Sequence, residues 1–175
     1  LVAAGTGLVQ FWFVYLPTLA QLRTGAALKT GQVAAAIGLA VFTVLLPLSG
    51  RLSDRFGRRP LLIFFALGSA VSVVPLVTSL RPTLPSLALS ASVAGVLLAA
   101  YAGSLAAVMA EQFPPEVRTA GISLPYGVAV AVFGGLSPLV ATALHDTGRF
   151  HLFLAGVVVL CLASALVYWR MPETK

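Results

Sequence analysis

Charge is what this chain has least of. Only 9% of its 175 residues are Asp, Glu, Lys or Arg, while 59% are hydrophobic, whereas a soluble domain carries about 25% charged residues. The mean hydropathy is +0.99, so a surface that water would solvate cannot be assembled from this composition. Cysteine is nearly missing too. Cys161 stands alone within an apolar run, which excludes an intrachain disulfide and a thiolate metal cluster and leaves it as a small buried hydrophobe. His145 and His151 flank one short gap with Asp146 and Arg149 between them, and without a third ligand this spacing builds no metal site. No nucleotide-binding glycine loop, metal motif or nucleophile–base constellation is present, and the chain reads as something other than an enzyme with no cofactor of its own. No basic lead precedes the first apolar run, so no cleavable signal is expected, and Leu1 reads as an internal position of a longer protein.

What is present is apolar sequence in blocks. Six charge-poor stretches occupy residues 1 to 22, 30 to 50, 60 to 80, 84 to 110, 119 to 144 and 152 to 169. About 20 residues rising 1.5 Å each cross a hydrocarbon core of ~30 Å, and unbroken apolarity selects helices over barrel strands. The expectation is an all-α polytopic membrane protein of six transmembrane helices. A net charge of +6 admits a nucleic-acid footprint, but the basic residues lie in the gaps between blocks, where charge reports topology. Arg51, Arg55, Arg58, Arg59, Arg118, Arg170 and Lys175 fall on one side and Arg23, Lys29, Arg81 and Arg149 on the other. Both ends of the segment are therefore expected to be cytoplasmic, the turn at 51–59 dominating that count.

Small residues predict how the helices touch. Gly95, Ala99, Gly103 and Ala107 recur every four residues in the fourth block, and Gly127, Ala131 and Gly135 do so in the fifth. Such seams let backbones approach closely, so both blocks are expected inside the bundle. Pro17, Pro47, Pro75, Pro125 and Pro138 each remove a backbone donor and invite a kink.

The densest information lies in Gly50-Arg51-Leu52-Ser53-Asp54-Arg55-Phe56-Gly57-Arg58-Arg59-Pro60. Physically it reads as a tight turn, with Gly50 allowing close helix approach, Gly57 accepting a positive φ, and four arginines around the carboxylate of Asp54. The stretch resembles the signature loop of the major facilitator superfamily, Gly-x-Leu-Ser/Ala-Asp-Arg-x-Gly-Arg-Arg/Lys, at every defining position. A second run, from Glu111-Gln112-Phe113-Pro114-Pro115-Glu116-Val117-Arg118 to Phe133-Gly134-Gly135-Leu136-Ser137-Pro138, is similar to the metabolite:proton symporter branch, which carries citrate, 2-oxoglutarate, shikimate, proline and betaine.

The resemblance implies the second six-helix half of a twelve-helix carrier in a bacterial inner membrane, with substrate bound near the midplane between this half and an N-terminal one. It implies proton-coupled symport of a small organic acid or zwitterion by alternating access. It also implies a latch of the cytoplasmic helix ends, with Asp54 as acceptor, Arg58 its partner, Arg55 and Arg59 beside it, and Glu111 with Arg118 an adjoining pair. No charged residue lies well inside a block, so a coupling acid is expected in the other half. Among uncharged groups, Gln10 is the first candidate for substrate contact, because a midspan amide in lipid needs a partner. Tyr15 and Tyr101 come from the first and fourth blocks, which line the cavity in this family, and Tyr126 follows Pro125 as a gate or an interfacial anchor. At helical spacing Thr6, Gln10, Pro17 and Gln21 share one face of the first block, and Phe11, Tyr15 and Thr18 another. The rival reading is a non-transporting membrane interaction or scaffold subunit, or the half carrier of a split gene.

Overall fold

The computed structural model describes residues 2–111 and 118–171, excepting the side chains of 106, 110, 111, 118–121 and 125. Helix accounts for every regular element among them. Helix α1 (Ala3–Val9) runs through a π-helical segment (Gln10–Tyr15) into α2 (Leu16–Thr24). Then follow α3 (Leu28–Phe56), α4 (Arg58–Thr78) and α5 (Leu84–Glu111). Helix α6 (Arg118–Ala129) passes through a second π segment (Val130–Gly135) into α7 (Leu136–Asp146), and α8 (Phe150–Arg170) closes the bundle. Among the described residues five helices are long and apolar enough to cross a membrane: Leu28–Phe56, Arg58–Thr78, Leu84–Met109, Ile122–Asp146 and Phe150–Arg170. Residues 3–24 form a sixth rod, less apolar because it carries Thr6, Gln10, Thr18 and Gln21.

Three of the helix ends are set by a glycine of positive φ. Gly25, at φ +69°, caps α2 by donating its N–H to Gln21 O at 3.0 Å. After α7, Gly148 at φ +69° donates to His145 O (2.9 Å) and Arg149 to Leu144 O (2.8 Å), the paired bonds of a Schellman cap. The signature stretch departs from its expected form. Residues 51–56 continue α3 as helix instead of forming a loop, and the whole turn is compressed into Gly57, at φ +93° and ψ 159°, a region open essentially to glycine alone.

The seams divide. α5 packs along α3, and the small residues of both set the distance. A Cβ on Gly95 would stand 2.6 Å from Gly38 O, one on Gly38 would stand 2.6 Å from the Ala91 Cβ, and one on Gly103 would collide with the Ser49 hydroxyl and stand 2.9 Å from Gly50 N. At that crossing Ser49 Oγ donates to Ala99 O at 2.7 Å. The closeness at Gly50 is thus a property of Gly103, because a Cβ on Gly50 itself would meet nothing within 4 Å. The second seam is a correction. Gly127 and Gly135 have nothing within 4 Å of a Cβ position and Ala131 is exposed, so the fifth block shows its small residues outward. The innermost element is instead the first rod, whose Leu8, Phe11, Trp12, Tyr15, Leu16 and Leu19 are buried in one cluster with residues of α4, α5 and α8.

Candidate functional site

Two prolines explain the two π segments. Pro17 cannot donate to Phe13 O, nor Pro138 to Gly134 O, and both rods widen just ahead of them, at Gln10–Tyr15 and Val130–Gly135. The widened turns meet. A Cβ on Gly7 would stand 3.4 Å from Phe133 O, and one on buried Gly134 would stand 3.3 Å from Gln10 Cγ and 3.9 Å from Gln10 Nε2. Gln10 therefore lies along a glycine that has no side chain to displace it.

From that crossing a cavity of about 600 Å³ opens between the first rod, α3, α5 and α6. Thr6, Gln10, Tyr101 and Tyr126 are its polar lining, with Val9, Phe42, Leu105 and Met109 among its apolar walls. Two of the four polar groups are already engaged. Thr6 Oγ1 donates back to Val2 O (3.0 Å) and Ala3 O (3.2 Å), and Tyr101 Oη donates to Val2 O at 3.3 Å. The Tyr101 ring packs 4.7 Å from that of Phe65 and fills the space where a side chain on Gly5 would go. Gln10 and Tyr126 make no hydrogen bond among the described residues, and Tyr126 is 39% exposed. An amide with two donors and an accepting oxygen, opposite a phenol, is equipped to hydrogen-bond a carboxylate, an amine or a hydroxyl, and neutralises none of them.

Tyr15 lies elsewhere. It is buried in the packing with Phe11, 5.9 Å between rings, and its Oη accepts from Thr142 Oγ1 at 3.4 Å. The shared face drawn through Thr6, Gln10, Pro17 and Gln21 also breaks. Thr6 and Gln10 face the cavity, Pro17 packs where a Cβ on Gly31 would come within 2.6 Å, and Gln21 is exposed. A π segment takes more than 3.6 residues per turn, so positions beyond it are rotated off the α-helical register. Phe42 and Met109 gave no signal as cavity walls, being apolar residues in apolar runs. Gly134 was visible only as part of a motif, not as the residue that seats Gln10.

At the far end of α3, Asp54 is exposed and makes no ion pair among the described residues. Ser53 is buried with its hydroxyl lacking a hydrogen-bond partner among them, and Gly57 N donates to Ser53 O at 3.1 Å. Arg55 lies over the Phe56 ring and Arg59 over the Trp169 ring, each guanidinium carbon 5.6 Å from the ring centroid. Glu111 ends α5 and Arg118 opens α6; their expected pairing lies outside the described side chains.

The profile of the Major Facilitator Superfamily matches residues 1–175. The chain belongs to the major facilitator superfamily. Superfamily relatives agree in kind. The chain is 34% identical over 131 residues to an alpha-ketoglutarate permease of Escherichia coli, covering 74% of this chain and 30% of that protein. It is 42% identical over 104 residues to a citrate-proton symporter of Klebsiella pneumoniae (58% and 23%). Over 173 residues it is 27% identical to the ectoine/proline transporter ProP of Corynebacterium glutamicum (93% and 34%). The chain thus spans about a third or less of the length of these superfamily members. No solved structure matches it. As a superfamily member with five long apolar helices among its described residues, it is a multi-pass membrane protein.

Proposed function

We propose that residues 1–175 form the C-terminal six-helix half of a secondary carrier that moves a small organic acid or zwitterion across a bacterial inner membrane by alternating access, driven by protons. The observation that carries this reading is Gln10. The Gln10 amide is held midway along a membrane rod, half-buried on a cavity wall and with no hydrogen bond among the described residues, so its two donors and its oxygen are available to whatever enters the cavity. A small polar solute passing between two halves supplies a partner, and Tyr126 and Tyr101 flank its place. Names of relatives support the substrate class: 2-oxoglutarate and citrate are acids, and ectoine and proline are zwitterions.

Among the described residues the cavity lining carries no charge, so in this reading charge neutralisation and the proton site fall to the N-terminal half. In this reading the arginine-bearing turn is cytoplasmic, and Asp54 meets a partner on that other half in one of the two carrier states. Uptake of radiolabelled citrate, 2-oxoglutarate and proline into vesicles holding the intact protein tests the proposal. Accumulation of one of them that collapses with the inward proton gradient is expected; uptake indifferent to the gradient would end the symport reading.

A further inference from the structure

The geometry points to a binding site for an anionic phospholipid at the arginine-bearing end of the bundle, in the cleft between α3, α4 and α5. The inference rests on the cytoplasmic placement of that end. The cleft measures about 470 Å³ and is walled by Leu48, Leu52 and Phe56 from α3 and Phe64 from α4, with Val96 and Ala99 of α5 at its floor. All but Ala99 are exposed, so the walls stand open on the outside of the bundle. Lining residues of α3 run from Leu45 to Phe56. At 1.5 Å per residue that is about 16 Å, the depth of one leaflet of a ~30 Å hydrocarbon core. Ser49 is the one polar residue of the lining, and its hydroxyl is engaged by Ala99 O and Leu46 O at 2.7 and 2.9 Å, so a cleft of one leaflet's length with otherwise apolar walls suits an acyl chain.

Charge at its mouth selects the headgroup. Arg51 and Arg55 are exposed on the last turns of α3, and the Arg55 guanidinium carbon sits 5.6 Å from the centroid of Phe56, itself a wall of the cleft. Residues 51–59 hold four arginines against the single carboxylate of Asp54. Trp169, 65% exposed with Arg59 over its ring, marks the same level as the membrane interface, where tryptophan concentrates. A phosphodiester without a compensating amine therefore meets the guanidiniums while its chain fills the cleft.

The test is native mass spectrometry of the intact protein in mild detergent with phosphatidylglycerol and phosphatidylethanolamine at equal concentration, which needs no transport and so fails or succeeds apart from the carrier reading. Phosphatidylglycerol should be retained in preference. Arg51→Gln with Arg55→Gln should weaken its binding about thirtyfold, from the contribution of two arginines at an anionic surface. Val96→Trp, which fills the floor from an exposed position, should lower retention with every arginine in place. Equal retention of both lipids, or phosphatidylglycerol binding unchanged by Val96→Trp, overturns the site. So does a cross-link from Leu48→Cys to another segment of the protein, which would mean that protein covers the cleft.

Discussion

Gly95→Ala is the sharpest perturbation of the bundle. The added methyl carbon would stand 2.6 Å from Gly38 O, where carbon and carbonyl oxygen ordinarily meet at about 3.3 Å. Backbone, not a flexible side chain, is in the way, so α3 and α5 must part by about 0.7 Å at that level. One helical turn along α5, the 2.7 Å bond from Ser49 to Ala99 O would stretch with them. Overpacking of this kind costs about 1–3 kcal/mol, and each kcal/mol lowers the unfolding midpoint by about 2–4 °C for a chain of this length. Cys161 provides the assay, being fully buried in the core cluster. Its reaction with a fluorogenic maleimide during a temperature ramp reports the loss of packing. Gly127→Ala is the control, since nothing lies within 4 Å of its Cβ position. A Gly95→Ala midpoint equal to that of the unaltered protein would refute the close-contact account of the seam.

Gly57→Ala should cost about 1–3 kcal/mol, because φ +93° with ψ 159° is essentially closed to side chains, whereas Gly25→Ala, at φ +69° and ψ 13°, should cost about 1–2; the same maleimide ramp ranks them. Ser53→Ala removes a buried hydroxyl without a partner among the described residues and should leave the midpoint unchanged or raise it. Gln10→Leu should raise the transport KM about ten- to a hundredfold, the loss of a hydrogen bond to a charged solute group, with little change in midpoint. Asp54→Asn should weaken the cytoplasmic latch by about 1–3 kcal/mol, shifting the two carrier states roughly 5- to 150-fold. Single cysteines on the two sides of the cavity should then label more on the cytoplasmic side and less on the outer one.

Length and apolarity made the long helices legible, and the Gly57 turn and the Gly95–Gly103 seam were readable because each depends on a residue having no side chain. Burial was harder to read, and the reason is physical. A helix in lipid is apolar on every face, so no hydrophobic stripe tells the packed side from the lipid side. Gly127, Ala131 and Gly135 look from spacing like Gly95, Ala99 and Gly103, yet the first set is exposed and the second packed. The π segments were hidden for a related cause. Pro17 and Pro138 announce a disturbed ladder but not how the chain absorbs it, and that choice decides that Gln10 faces the cavity while Tyr15 turns to Thr142. Gln10, Tyr101 and Tyr126 could be listed as polar groups in apolar runs, but only the fold brings them to one wall.

The claim that this wall lines the solute path is tested most directly by thiol accessibility at Tyr126. In the intact protein carrying Tyr126→Cys, a membrane-impermeant methanethiosulfonate should react, and saturating citrate, 2-oxoglutarate or proline should slow the reaction, whereas Val71→Cys, 76% exposed on the outside of α4, should be inert in the bilayer with or without solute. A Tyr126→Cys that the reagent cannot reach, or whose rate none of the three solutes alters, would contradict the assignment of the cavity.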